Sequence, residues 1–358
     1  SNYDEFKIYS ERRQDILSRS KISMDENKGS LQMELKKPYF KNLAKDIVYH
    51  SGMAGLLLQV AKFCRHPALL IFTYHRVCPS SADYQYLSVS RDVFESHIKF
   101  VKDNFKVVSM QEGIKGLYER NSREVYAAIN LDDGYMDNYT NAFPVLKKYS
   151  VPATIFLTTD FIGKSHIFWW DKVFNIISSI KASRMESGVE TDRIDRVLVN
   201  KREDEIESFI QNIGKRSGYK ENHISCPMLG WAEIKKMSNF GINFEAHTKT
   251  HKNLCLLKDK EAMEELVGSK KAIEDGLGKE VIGFSYPFGI FDERIKGMAK
   301  EAGFKYARAA FKAFNYKESD PFLLSCIGAG AALKPSFLAA RLCSSLFKCS
   351  VSERVHGY

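Results

Sequence analysis

Apolar residues in this chain fall in short runs separated by stretches of helical spacing. The runs occupy 68–74, 105–109, 125–131, 153–158, 242–245, 281–286 and 304–309. Runs of this length, bounded by polar or turn-forming residues, predict strands buried on both faces. Between them apolar residues recur every three or four positions. Ser90 is a good N-cap for a helix carrying Phe94, Ile98 and Val101. Ile114, Leu117 and Tyr118 mark a second helix, and Phe143 with Leu146 a third. Trp231, Ile234, Met237 and Phe240 predict a helix that ends near Gly241. Asp259 is the expected cap of a helix bearing Met263, Leu266, Val267 and Ile273, stopped by Gly276 and Gly278. Another helix covers 294–302. Strand then helix, repeated, predicts a parallel α/β architecture.

Three stretches break the rhythm. Residues 1–65 are expected as a polar leader followed by an amphipathic helix at 42–63, to pack on the main domain or rest on a membrane surface. Residues 171–228 are long, charged and helical in pattern, with Ile206, Phe209, Ile210 and Ile213 at helical spacing, and are expected as a helical insertion at one mouth of the domain. Residues 331–358 are expected as a C-terminal helical tail. The main domain is therefore expected at 66–330.

Composition narrows the classes. The 358 residues are 44% hydrophobic and 27% charged, an ordinary globular balance. The net charge of +9 is spread along the chain, without the aromatic-interleaved basic stripe that nucleic-acid binding favours. It suits an anionic membrane face or an acidic glycan. Seven cysteines, an odd number without C-x-x-C spacing, argue against a disulfide framework or a four-cysteine zinc site. Neither a signal-peptide h-region nor an apolar stretch long enough to span a bilayer is visible. The expectation is a cytoplasmic protein, at or near the membrane face.

Four motifs stand at predicted strand ends, and a fifth, the tryptophan pair, just past another. The strand at 125–131 stops on Asp132, Asp133 and Gly134. Two carboxylates at the mouth of a buried strand are costly unless a metal, a proton or a substrate offsets them; otherwise they are a solvated Asp-Gly turn. His247-Thr248-Lys249-Thr250-His251 follows the strand at 242–245. Its histidines share a helical face or converge from a tight turn at metal-ligand distance, or they are two surface histidines. Strand C-termini of parallel α/β folds gather on one face and form the active site. One carboxylate plus two imidazoles suits a catalytic Zn²⁺ or a similar divalent ion (Co²⁺, Ni²⁺, Mn²⁺, Fe²⁺), leaving the second carboxylate as a base. Tyr286-Pro287-Phe288-Gly289 is either a plain turn or a rigid loop whose N–H groups face a reacting carbonyl. His75, in Phe72-Thr73-Tyr74-His75-Arg76, is either structural or a general acid. Trp169 and Trp170, in Ile167–Asp171, are either packing residues or a flat platform for a sugar face.

The ordered set NLDDGYMDNY, HTKTH and YPFG resembles the polysaccharide deacetylases of the NodB homology type, carbohydrate esterase family 4, over roughly residues 66–330. FTYHRV and VPATIFLTTDFIG are similar to that family as well. The resemblance implies a distorted (β/α) barrel of seven strands and metal-dependent removal of an N-acetyl group from a sugar of a polysaccharide, oligosaccharide or lipid-linked glycan. It implies Asp132 as catalytic base and Asp133, His247 and His251 as metal ligands. Substrate contacts are expected at Tyr135, Trp169, Trp170, Pro287 and Phe288. An oxyanion is expected to be met by a main-chain N–H near Phe288 or Tyr135.

Two departures stand out. The family's R-x-P-[YF] segment aligns with Ser285, Tyr286, Pro287 and Phe288, so the arginine that orients the base is absent; Arg76 and Arg308 are the candidates to replace it. The late Leu/Ile-x-x-x-His segment, source of the general acid, has no match, and His75 is expected to fill that role. Those absences also leave open a glycan-binding pseudoenzyme, and the ligand set leaves open a hydrolase of non-sugar amides.

Overall fold

The structure is a computed structural model that describes residues 67–79, 87–119, 124–182, 198–217, 226–309 and 314–329. The expected leader, the helix at 42–63 and the tail at 331–358 lie outside the described residues. In chain order the elements begin with β1 (Ala68–Tyr74), β2 (Arg76–Val77), β3 (Ser88–Val89), α1 (Arg91–Asn104), β4 (Lys106–Val107), α2 (Met110–Leu117) and β5 (Val125–Leu131). A single π-turn, Asn138–Ala142, then leads into α3 (Phe143–Tyr149), β6 (Ala153–Leu157), α4 (Trp169–Ala182) and α5 (Glu203–Ser217). The rest are α6 (Trp231–Ser238), β7 (Asn243–Ala246), α7 (Asp259–Leu277), β8 (Gly283–Ser285), α8 (Glu293–Glu301), β9 (Tyr306–Arg308) and β10 (Ile327–Gly328).

Seven strands form one parallel sheet in the order β10-β1-β5-β6-β7-β8-β9, with the two-residue β4 flanking β5. The sheet curls, and an isolated parallel bridge between Arg308 and Leu324 joins β9 to the segment entering β10. This is the distorted seven-stranded (β/α) barrel that the family resemblance implies, curled as a half-barrel. The continuous apolar runs are explained by burial on both faces. Leu70, Phe72, Ala127 and Ile129 pack outward against the helices. Leu69, Ile71, Tyr126, Ala128, Phe156 and Tyr306, from strands that are not all neighbours, meet inside the curl.

Helix ends follow local chemistry. The Ser90 hydroxyl accepts from the Val93 N–H, and Ser109 and Glu112 form a reciprocal capping box on α2. Three expectations need correction in α7. Asp259 is its first residue rather than its cap, which is Lys258. Val267 faces solvent at 42% exposure. Gly276 lies within the helix, where a Cβ would come 2.2 Å from the Trp231 ring, and only Gly278, at φ +64°, ends it. Between β6 and α6, α4 and α5 pair through Val173, Ile176 and Ile177 against Ile206, Ile210 and Ile213. No helix among the described residues is long and apolar enough to cross a membrane.

Candidate metal and catalytic centre

The site forms where β1, β5, β7, β8 and β9 end. β5 carries its pairing with β1 one residue further, the Asp132 N–H donating to the Tyr74 carbonyl at 2.9 Å. The chain then reverses in a γ-turn centred on Asp133, with the Gly134 N–H bonded to the Asp132 carbonyl at 2.9 Å. Asp133 takes φ +72° and Gly134 φ +83°. Such backbone costs about 1–3 kcal/mol per non-glycine residue and persists where the surroundings impose it. Its effect is to send two adjacent carboxylates in different directions. The turn is buried: Asp132 is 4% and Asp133 1% exposed, which removes the solvated-turn reading.

Asp133 faces the two histidines. Its Oδ1 lies 3.5 Å from His247 Nε2 and 3.3 Å from His251 Nε2. One ligand atom from each of the three falls within 4.8 Å of the others. The histidines converge from a tight turn rather than a helix. Thr248 and His251 adopt φ +65° and +61°, and the His251 N–H donates to Thr248 Oγ1 at 2.9 Å. His247 Nδ1 lies 2.7 Å from the Ser285 carbonyl. A carbonyl only accepts, so Nδ1 carries the proton and Nε2 presents its lone pair to Asp133.

The electrostatics suit a cation. Burial, helped by the neighbouring His251, lowers His247 to about 4, so the ring is neutral at neutral pH. Burial would raise Asp133, yet His251, His75 and His247 together hold it well below the usual carboxylate range. Neither Asp133 oxygen has a hydrogen-bond partner among the described residues. A buried carboxylate without a hydrogen-bond donor among the described residues, facing the neutral His247 ring and the His251 ring, is a donor set for a divalent ion, and the residues present fit one.

Asp132 faces the other way. Its Oδ2 is in contact with Arg308 Nη2, and His75 Nε2 stands 3.7 Å from the same oxygen. Its Oδ1 has no hydrogen-bond partner among the described residues. Arg308, 4% exposed, also donates from Nη2 to Ser285 Oγ at 2.7 Å and from Nη1 to Thr73 Oγ1 at 3.0 Å and Cys326 Sγ at 3.2 Å. Asp132 raises the Arg308 pKa against the lowering effect of burial, so the guanidinium stays charged. Of the two candidate arginines, Arg308 meets Asp132. Arg76 instead pairs with Asp137 at 3.0 Å and lies 4.6 Å from the centroid of the Tyr135 ring.

His75 follows β1 directly, and its side chain is 28% exposed, open toward the mouth of the site. Its carbonyl is held by Asn138 Nδ2 at 2.8 Å.

The aromatic residues divide. The His251 ring is enclosed by Trp170 at 4.7 Å, Phe288 at 4.6 Å, Phe168 at 5.6 Å and His247 at 4.7 Å between centroids. Trp170 is 5% and Tyr135 1% exposed, and Trp170 Nε1 donates to the Tyr135 hydroxyl, which donates in turn to Asp171 Oδ2, both at 3.2 Å. These two side chains therefore form a wall behind His251, so Trp170 is not the open platform expected of it and the Tyr135 ring offers no open face for the expected substrate contact. Pro287 is buried too. A ring wedged between an imidazole and a hydrogen-bonded phenol fixes that imidazole and excludes water, and that work leaves it no free face. Trp169 and Phe288 are partly exposed, with ring centroids 6.0 Å apart. Phe288 holds the left-handed conformation φ +59°.

The family described as Polysaccharide deacetylase matches residues 119–307, just over half of the chain, and the chain belongs to that family. The match contains Asp132, Asp133, His247 and His251; His75 and Arg308 lie outside it. A Bacillus subtilis protein, YxkH, whose name assigns it to the polysaccharide deacetylases, is 26% identical over 67% of this chain and 63% of its own length. The chain thus spans less than two thirds of that relative. The poly-beta-1,6-N-acetyl-D-glucosamine N-deacetylase of Staphylococcus aureus is 26% identical over 66% of this chain and 70% of its own. Among solved structures, the Streptococcus pyogenes deacetylase PplD in complex with acetate superposes with a TM-score of 0.54 at 18% identity, covering 77% of this chain and 98% of that one, a likeness of fold.

Proposed function

We propose that this protein hydrolyses the N-acetyl group of an amino sugar within a glycan. The observation that carries the reading is the γ-turn at Asp133, which assigns one carboxylate to the histidine pair and the other to an arginine. Asp133, His247 and His251 would hold a divalent ion, with Zn²⁺ suited to the Asp-His-His set. When bound, that ion supplies Lewis acidity toward the acetyl carbonyl and toward water.

The chain's own residues account for the proton movements. Arg308 occupies Asp132 Oδ2 and fixes the carboxylate plane. Oδ1, left without a donor, is the atom that takes the proton of the attacking water. His75, next to Asp132 and open to the mouth, gives a proton to the leaving amine. Phe168, Trp170 and Phe288 keep the His251 side of the site dry, which strengthens every charge interaction there. Trp169 and Phe288 are placed to meet the sugar.

The Arg308–Asp132 contact favours catalysis over a purely glycan-binding role, because the guanidinium absent from Ser285 is present on the next strand. The staphylococcal relative makes β-1,6-linked N-acetylglucosamine polymers the first substrates to test. Acetate release is to be measured on N-acetylglucosamine oligomers of different linkage, on lipid-linked N-acetyl sugars and on a simple acetanilide. Release from at least one sugar, abolished by chelation and restored by Zn²⁺, is expected. Release from the acetanilide alone would replace the sugar reading with a non-sugar amidase.

A further inference from the structure

We propose that Glu265, in the middle of α7, is the residue that holds the His247–His251 turn in its ligating shape. This rests on the metal reading above and adds a positioning residue to it.

The turn contains two non-glycine residues in left-handed conformation, Thr248 and His251, with only three residues between its ligands. Backbone of that kind relaxes unless its polar groups are over-determined. Relaxation at His251 swings its ring away from Asp133, so whatever fixes the turn fixes the ligand set.

Glu265 of α7 does this. Glu265 Oε2 accepts from the N–H groups of Lys249 and Thr250, at 2.8 and 2.9 Å. Its Oε1 accepts from the Thr250 hydroxyl at 2.6 Å. One carboxylate thus takes every donor of the turn's outer edge, in charge-assisted bonds roughly twice as strong as neutral ones. Glu265 is buried, so water does not compete for those donors. Gly268, one helical turn on, gives room for the Lys249 stem: a Cβ there would come 2.6 Å from Lys249 Cδ. The Lys249 ammonium ends on Glu264 at 3.1 Å.

The opposite edge of the turn is held too. The Thr159 and Asp160 N–H groups donate to the carbonyls of Thr248 and Lys249, at 3.2 and 3.0 Å. Those bonds come from main chain and survive any side-chain substitution. Within the turn the Thr248 hydroxyl takes the His251 N–H; from outside it, Glu265 is the side chain that takes the Lys249 and Thr250 donors.

The test is zinc affinity, measured by competition with a chromophoric chelator on the full chain, with the thermal midpoint of the metal-free protein alongside. Glu265→Ala is expected to weaken Zn²⁺ binding by about 10- to 100-fold, the usual effect of removing a group that orients a ligand. Glu265→Gln, which keeps an acceptor but adds a donor, is expected to fall between. Glu264→Gln, which touches only the Lys249 ammonium, is expected to leave affinity within about twofold. A purely structural role would lower the thermal midpoint while leaving zinc affinity unchanged, and that result overturns the proposal. If Glu265→Ala does not fold, Glu265→Gln decides: affinity equal to the unmodified protein overturns it. Absence of zinc binding by the unmodified protein would instead overturn the metal reading, and this inference with it.

Discussion

Ser285 and Arg308 are register partners on β8 and β9, and the Arg308 guanidinium touches both the Ser285 hydroxyl and the Asp132 carboxylate. The family resemblance aligns Ser285 with the motif's arginine. The charge has moved one strand sideways while still reaching the same acid. The Ser285 carbonyl also accepts a hydrogen bond from His247 Nδ1, so one residue touches both His247 and Arg308.

A reciprocal exchange follows. Arg308→Ser removes the fork from Oδ2 and leaves Asp132 buried without its counter-ion; turnover is expected to fall about 100-fold, as for a misplaced catalytic group, with zinc still bound. Adding Ser285→Arg returns a guanidinium from the neighbouring strand and is expected to recover at least about tenfold of that loss. Steady-state kinetics of the two variants decide it. A double variant no better than Arg308→Ser would refute the equivalence of the two positions.

His75 is expected to matter only where the leaving group needs a proton. His75→Ala should slow N-acetyl hydrolysis by about 100-fold or more, yet slow hydrolysis of p-nitrophenyl acetate little, since a nitrophenolate departs without protonation. Equal losses on amide and ester would assign His75 to water activation or substrate binding instead.

Glu245 lies on β7 and bonds to the N–H groups of Ile282 and Gly283, at 2.9 and 2.7 Å. Burial raises its pKa to about 7 from an ordinary value of 4.5. The folded protein therefore binds this proton more tightly than the unfolded chain does. Its contribution to stability is full below about pH 4.5 and is lost as pH rises toward 7, by roughly 3 kcal/mol in total. Glu245→Gln resembles the protonated acid at every pH. Urea unfolding is expected to show the variant gaining on the unmodified protein between pH 5 and pH 8. A difference independent of pH would show that Glu245 does not titrate in this range.

Much of the scaffold is legible in the sequence. β1 and β5 fall on their apolar runs because strands buried on both faces leave an unbroken signature. The Asp-Asp-Gly and His-x-x-x-His motifs mark the centre because their residue types are costly at strand ends without a function. Other features have no local signature. Arg308 reaches Asp132 across 176 residues, and an arginine in an apolar strand does not name its partner. Trp169 and Trp170 are adjacent and chemically equal, yet one is buried and the other partly open, because only one lies against His251. Glu265 reads as one more charge on an acidic helix; only the packing of α7 against the histidine turn shows its three donors.

The division of labour between Asp132 and Asp133 is the centre of the account, and one paired measurement tests it: metal content and acetate release of Asp132→Asn and Asp133→Asn, side by side with the unmodified protein. Asp132→Asn is expected to retain the metal and release no acetate. Asp133→Asn is expected to lose both. Loss of the metal from Asp132→Asn, or acetate release by that variant at the unmodified rate, would contradict the account.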